Sequence, residues 1–407
     1  MAYRVRPCRS PDEFAKAWGA IGHYFGWVPS TEDVERFEKL LPAERTHAAF
    51  DGDSLVAGAG AFTFDLTVPG PVAVPCAGVT VVGVLPTHRR RGLLTRMMRA
   101  QLDDIHERGA PIAALFASEE TIYGRYGYGL ASVRQEIRLP RHRAALRAGT
   151  PPRAGGVRLV EHDEALRVFP RIYDRVRRTT PGFLSRSREW WELRRLRDDP
   201  DRRPPGAGPL NQALLEIDGR PAGYAIYRIA DREEDGHWTR RLRVMEAIGV
   251  DFPATREIWR FLLEIDWMDE ILAWLLPTDH PLMHLVARPD SLDLHTETGL
   301  WVRLMDVGAA LSARGYAADG RVTFDIADDF CPWNAGTWTL ADGVARRSRR
   351  RPDLRLDVTA LGATYLGGFS FGRLARAGLV EEARRGGAAR ADTLFASDRA
   401  PWCPELF

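Results

Sequence analysis

The stretch VTVVGVLPTHRRRGLLTRMM, residues 79–98, decides how this chain is read. It opens on the β-branched apolar run Val79–Val84, which suits a buried strand. It then passes Pro86 and the basic turn His88-Arg89-Arg90-Arg91-Gly92 into a helical pattern. The first turn of a helix presents free N–H groups and the positive end of its dipole. Arginines placed there complete an anion site. Gly92, lacking a Cβ, allows close backbone approach. The anion suggested is a pyrophosphate. The turn carries no G-x-x-x-x-G-K-S/T loop and too few glycines for a dinucleotide fingerprint. The competing reading of these arginines alone is a solvated basic helix start.

The chain has 407 residues, which suits two or three domains. Its 45% apolar share is ordinary for a folded protein and supplies material for real cores. With 57 basic against 55 acidic residues the net charge is +2, which is not the footprint of a nucleic-acid binder. On that ground the run Arg346-Arg347-Ser348-Arg349-Arg350-Arg351 is read as a solvated loop. Cys8, Cys76, Cys331 and Cys403 form no C-x-x-C pair, so neither a metal site nor a redox motif is indicated. Their sparse use suits a reducing cytoplasm, and the N-terminus shows no signal-peptide pattern. No run reaches the roughly 18 apolar residues a membrane span requires.

Along the chain, Tyr3–Pro7 reads as a strand. A helix starts at Ser10-Pro11-Asp12-Glu13 and is expected to run to about Ala20. The aromatic loop Gly22–Pro29 follows, then a second helix from Thr31 to about Leu41. A hairpin turns at Asp51-Gly52, and another at Pro69-Gly70-Pro71. After the helix Thr95–Glu107, Ile112–Phe116 is a short strand. Residues ~145–156 read as a linker by their Ala, Gly, Pro and Arg content. Beyond it come a helix near Asp163–Thr179, a Trp190-Trp191 helix, a hairpin at Asp218-Gly219, a strand Arg243–Val250 and a helix Thr255–Trp267. From Leu300 onward short strands and helices alternate, with Val380–Arg385 expected to be helical.

Two motifs carry a resemblance. Arg89-Arg90-Arg91-Gly92-Leu93-Leu94 resembles the acyl-CoA loop of the GCN5-related N-acetyltransferases (GNAT), Arg/Gln-x-x-Gly-x-Gly/Ala, with Leu94 in place of the last small residue. The run Ala117-Ser118-Glu119-Glu120-Thr121-Ile122-Tyr123-Gly124-Arg125-Tyr126-Gly127-Tyr128-Gly129 is similar, almost letter for letter, to the signature of the enhanced-intracellular-survival (Eis) branch. That resemblance implies an α/β (α+β) protein: tandem GNAT folds with mixed central sheets flanked by helices, plus a C-terminal sterol-carrier-protein-like α+β domain. The expected domains are a catalytic one over 1–148, a degenerate GNAT-like one over 149–297, and the sterol-carrier-like one over 298–407. The degenerate reading rests on Asp251–Glu257, where neither an arginine pair nor a glycine occupies the turn and Pro253 offers no N–H.

The resemblance implies acetyl transfer from acetyl-CoA, without a metal, to a cationic small-molecule amine of aminoglycoside type, at one or several positions. It also implies a cytoplasmic homo-hexamer. Val82, Gly83 and Val84 would pair with the pantetheine arm, and an N–H near Val82 would face the oxyanion. Arg89, Arg90, Arg91, Gly92, Leu93 and Leu94 would hold the pyrophosphate. Ser118 and Glu119 would lie near the cofactor, with helix capping as their alternative. By position alone Tyr123, Tyr126 and Tyr128 are equal candidates for the general acid; the resemblance implies Tyr123. It further implies that the α-carboxylate of Phe407 is the general base. His23, Phe25, Trp27, Val81 and Glu405 are the expected acceptor-side residues. A polyamine, a peptide amine or a protein lysine is the alternative acceptor. The alternative that is not an enzyme is a binder of hydrophobic ligands through the C-terminal module.

Overall fold

The structure is a computed structural model that describes residues 3–148, 155–234 and 236–407. Half of the expected linker, residues 149–154, lies outside the described residues. The chain forms two compact units. The first holds residues 1–132, 300–398 and 406–407. The second holds residues 133–299 and 399–405.

The first unit's main sheet has seven strands. Their order is Arg4–Pro7, Thr46–Asp51, Ser54–Val68, Val72–Val84, Ile112–Phe116, Leu300–Leu304 and Gly129–Leu130. The hairpins at Asp51-Gly52 and Pro69-Gly70-Pro71 join long strands, so what reads as four short strands is two of 15 and 13 residues. The helix Pro11–Phe25 starts as expected, with Ser10 accepting from the Glu13 N–H. It continues past Ala20 to Phe25 and stops at Gly26 in the left-handed conformation (φ 69°). His23, Tyr24 and Phe25 are therefore its last turn, and Gly26 is the glycine that breaks it. The helix Leu93–Glu107 packs Leu93, Met97, Met98, Leu102 and Ile105 inward at helical spacing.

The same unit carries a five-stranded sheet ordered Val344–Arg347, Gly336–Ala341, Arg321–Ala327, Leu354–Asp357 and Val380–Glu382. The helix expected at Val380–Arg385 is instead a strand, paired antiparallel to Leu354–Leu356. Helices Val358–Thr364, Phe371–Arg376 and Gly387–Phe395 accompany it. Arg303 and Asp328, whose side chains are 0% and 1% exposed, tie this part to the main sheet through an ion pair of 2.9 Å.

The second unit's sheet is ordered Asp293–Thr298, Val133–Pro140, Glu270–Leu276, His237–Gly249, Arg220–Glu234, Asn211–Ile217 and Gly155–Leu159. The helices His162–Arg177 and Phe252–Glu264 pack on it through Phe169, Tyr173 and Trp259. Each of the two units draws on more than one segment of the chain. Val133–Pro140 completes the second sheet, and Leu300–Leu304 completes the first. Among the described residues no helix is long and apolar enough to cross a membrane.

Candidate active site

In the first unit, Val72–Val84 and Ile112–Phe116 run parallel. They pair only from Cys76↔Ile112 to Gly78↔Ala114. Beyond Gly78 the two strands are no longer paired, which leaves an opening between them. Opposite Ser54–Val68 the register slips between Gly58↔Gly83 and Gly60↔Thr80, so Val81 and Val82 face the single residue Ala59. This is a β-bulge, which takes backbone groups out of the ladder and re-aims them. Val81 sits at φ 49°, a conformation that a β-branched residue adopts only at a cost of about 1–3 kcal/mol. Such strain at a cleft is a functional signature rather than a packing one.

Gly83 is a close-approach site beside the bulge. A Cβ there would lie 2.8 Å from both the Cα and the N of Ile21, so the glycine admits the helix Pro11–Phe25. The helix then brings the Tyr24 hydroxyl to donate to the Val84 carbonyl at 2.5 Å. The Arg89 guanidinium lies 5.8 Å from the Tyr24 ring.

The turn leaves a helix start open. Gly92 (φ 75°) is the N-cap of Leu93–Glu107, and no side chain caps the helix. Nothing lies within 4 Å of where a Gly92 Cβ would be. Arg90 is also left-handed, at φ 61°. Arg89, Arg90 and Arg91 are all exposed, and Arg91 donates to the Tyr3 hydroxyl at 3.1 Å. Leu93 is buried in the core and Leu94 is half-buried, so these two contribute backbone N–H groups rather than side chains. An open helix start flanked by cations fits a pyrophosphate. Replacing Gly92 by valine should raise KM for acetyl-CoA about tenfold with kcat little changed, because the strain and lost approach fall on cofactor binding. An unchanged KM in steady-state kinetics would remove Gly92 from the cradle.

The segment Glu120–Tyr126 is two short helical turns ending at Gly127 (φ 84°). It separates the three tyrosines. Tyr128 is 0% exposed, and its hydroxyl has no hydrogen-bond partner. Tyr126 is 1% exposed, with its hydroxyl 3.3 Å from Thr95 Oγ1 and its ring against Phe330. Tyr123 keeps 7% exposure and packs with Val79, Val82 and Leu94 in one cluster. Burial pushes its phenol up to about 12. Ser118 and Glu119 are exposed just before this segment. Glu119 is the N-cap residue of Glu120–Tyr123, but its side chain makes no capping bond and accepts instead from the Thr121 hydroxyl at 2.7 Å.

Phe407 places its ring at the same opening. The ring centroid lies 5.3 Å from Phe64, 5.7 Å from Phe116 and 6.4 Å from Phe62, all edge-on. Its Cε2 would come within 3.1 Å of a Cβ on Gly78. On the helix side, His23 and Phe25 are exposed. Trp27 is 36% exposed, resting edge-on against Trp18 and beneath Gly22.

Glu405 does not join this group. It is 2% exposed within the second unit, and its carboxylate lies 2.7 Å from Arg186 Nε and 4.0 Å from Arg194 Nε. With its charge already met by arginines, Glu405 is not an acceptor-side residue. Sequence reading also passed over Tyr24, whose hydroxyl bond becomes visible only once the helix is known to reach Phe25.

Residues 4–131 and 182–304 each match an acetyltransferase (GNAT) domain family, and residues 307–404 match a sterol carrier protein domain family. An uncharacterised N-acetyltransferase of Streptomyces avermitilis is 41% identical over 97% of this chain and 96% of that protein. The N-acetyltransferase Eis of Mycobacterium tuberculosis is 35% identical over 90% of each chain. The crystal structure of Eis1 from Mycobacterium abscessus superposes with a TM-score of 0.86 at 34% identity, over 99% of this chain and 100% of that one. The chain is an N-acetyltransferase and belongs to the Eis family of the GNAT superfamily.

Proposed function

We propose that this enzyme transfers the acetyl group of acetyl-CoA to amines of aminoglycoside-type substrates, at more than one position where geometry permits. What supports this reading is the set of features on the strands Val72–Val84 and Ile112–Phe116 and the helix that follows the first: an uncapped helix start at Gly92, a strained bulge at Val81–Val82, Tyr123 packed with Val82 and Leu94, and the Phe407 ring against Gly78. Each supplies a separate requirement of acyl transfer. Gly92, Leu93 and Leu94 hold the diphosphate with their N–H groups, and Arg89 and Arg90 add charge. The bulge re-aims backbone N–H toward the thioester oxygen. Tyr123 faces the departing sulfur. The terminal carboxylate of Phe407 takes the proton of the attacking amine.

Tyr123 acts chiefly by hydrogen bonding. A phenol at about 12 lies some 3.5 units above an ordinary thiol, so full proton transfer to a thiolate is uphill by roughly 5 kcal/mol. A donor aimed at the developing negative sulfur needs no such transfer.

The engagement of Glu405 and Asp33 in ion pairs of their own favours a second acceptor class. Glu405 is ion-paired to Arg186, and Asp33 is 5% exposed in a capping box with Ser30 and an ion pair with Arg36. With fewer free carboxylates, a polyamine, a peptide amine or a lysine is the competing substrate. Thiol release from acetyl-CoA, measured against kanamycin- and neomycin-type aminoglycosides, spermidine and a lysine peptide, tests both. Aminoglycoside turnover supports the first reading; acetyl-CoA binding with turnover only of the others selects the second.

The role given to Phe407 predicts that a tag appended after it lowers kcat by about 10²-fold or more. An equally active tagged enzyme would refute it. Assembly as a homo-hexamer belongs to the same proposal, and a stable monomer in sedimentation would count against that part.

A further inference from the structure

In the second unit, His237–Gly249 and Glu270–Leu276 also run parallel and also part early, after Val244↔Ala273. This is the counterpart of the opening in the first unit, but it is filled. Trp402 and Pro404 enter it and lie against Met245, Ala247, Trp274 and Leu275, leaving a void of about 10 Å³, enough for about one water. The helix start next to it is closed as well. The Asp251 carboxylate accepts the Ala254 N–H at 2.8 Å and so takes the place an anion would fill.

The filling segment is bound as a peptide ligand is bound, by backbone and side chain together. Leu275 is turned to φ 57°, and its carbonyl accepts from Trp402 Nε1 at 2.6 Å. The Trp402 N–H donates to the Pro181 carbonyl at 2.8 Å, and the Ala400 N–H to Asp279 at 2.8 Å. Gly182 is at φ 96°, and a Cβ there would lie 2.8 Å from both the N and the O of Trp402. The indole packs edge-on against Phe183 at 5.0 Å. At the end of the segment Glu405 meets Arg186, whose other face is held bidentately by Glu246 at 3.0 and 2.6 Å. The side chains of Arg186, Glu246 and Glu405 are 0–3% exposed. A buried carboxylate beside a buried guanidinium is selective, because either one left alone is costly.

We propose that the second unit has exchanged acyl-CoA binding for peptide binding, and that its ligand is this chain's own segment Arg399–Glu405. Gly182, Leu275 and Arg186 are the residues that select it, for an extended Trp-x-Pro-Glu sequence. Only Leu406 separates Glu405 from Phe407. Glu405 and Trp402 are therefore positioning residues that act on the reaction through Phe407. That last step rests on the role proposed for Phe407; the binding of the segment does not.

Backbone amide exchange of the full-length enzyme tests the binding by itself. The Ala400 and Trp402 amides should exchange at least about 10²-fold more slowly than in the free nonapeptide Arg399–Phe407, as amides do in packed structure. Exchange at the free-peptide rate overturns the proposal without any variant. Glu405→Gln and Trp402→Ala should release that protection while the amides of Glu270–Leu276 keep theirs. Unaltered tail protection in both variants would show that these side chains do not select the segment. Released variants should lose kcat by about 10²-fold, as misplaced catalytic groups do, with acetyl-CoA affinity unchanged and Trp402→Phe restoring part of the rate. Released tails with undiminished kcat would leave the peptide site standing and refute the role of Phe407.

Discussion

Replacing Tyr123 by phenylalanine should lower kcat by about 10²–10³-fold and leave KM for acetyl-CoA within about twofold, the pattern of a donor felt mainly in the transition state. The substitution removes one hydroxyl from a 7%-exposed ring that packs edge-on against Tyr128 at 6.1 Å. The ring contacts survive, so stability should change by less than about 1.5 kcal/mol. The pH profile adds an independent check. Burial raises the phenol to about 12, so the proton is retained below that value and is lost only as pH rises through it. The wild-type rate should therefore show no tyrosine-dependent fall up to about pH 10, where a free phenol would already be half ionised. Unchanged kcat in the variant would remove Tyr123 from the reaction. A limb near pH 10 that disappears with Tyr123 would show that the phenol titrates there.

The second large effect is on stability. Asp328→Ala should cost about 3–5 kcal/mol, the range for stranding one member of a buried ion pair. Asp328 binds Arg303 through both carboxylate oxygens at 2.9 Å, accepts the Cys331 N–H at 2.9 Å and accepts from Asn334 Nδ2 at 3.1 Å. Without it the Arg303 guanidinium stays enclosed with no countercharge, since its Nε and Nη1 already lack hydrogen-bond partners. The first thermal transition should drop by about 6–10 °C. The double variant Arg303→Met/Asp328→Leu should recover most of the loss, because two matched apolar side chains replace the pair. A drop of only a degree or two for Asp328→Ala would show that water reaches this site. Arg303 Nη1 also lies 2.2 Å from where a Gly127 Cβ would be. Loosening it should disturb the segment that carries Tyr123, and kcat should fall with stability in the single variant.

The parts of the site that were legible in the sequence are those written in local chemistry. Val79–Met98 announces strand, turn and helix through β-branching, an arginine run and one glycine, and the structure places these elements there. The Ala117–Gly129 motif likewise singles out three tyrosines, and their different burial, 7% exposure at Tyr123 against 1% at Tyr126 and 0% at Tyr128, is something spacing does not report. What was missed depends on partners far along the chain. Glu405 looks like a free acid until Arg186 is seen beside it. Val133–Pro140 and Leu300–Leu304 are ordinary amphipathic strands whose own residues cannot say which sheet they will join, because that choice is made by edges formed elsewhere.

The exchange of those two strands bears on how the protein is made. When the first 132 residues leave the ribosome, Ile112–Phe116 has its parallel neighbour Val72–Val84 on one side but nothing on the other. Its missing partner, Leu300–Leu304, is not translated until the whole second sheet has been synthesised. Through that interval an apolar edge lies open, of the kind that recruits strands from other chains. A gene fragment ending at Ser132 would prolong that interval indefinitely. It should yield aggregates, whereas a fragment supplemented with a Leu300–Leu304 strand should be markedly more soluble. The nascent chain thus has a defined window in which chaperones matter most, and it closes only when residue 304 emerges.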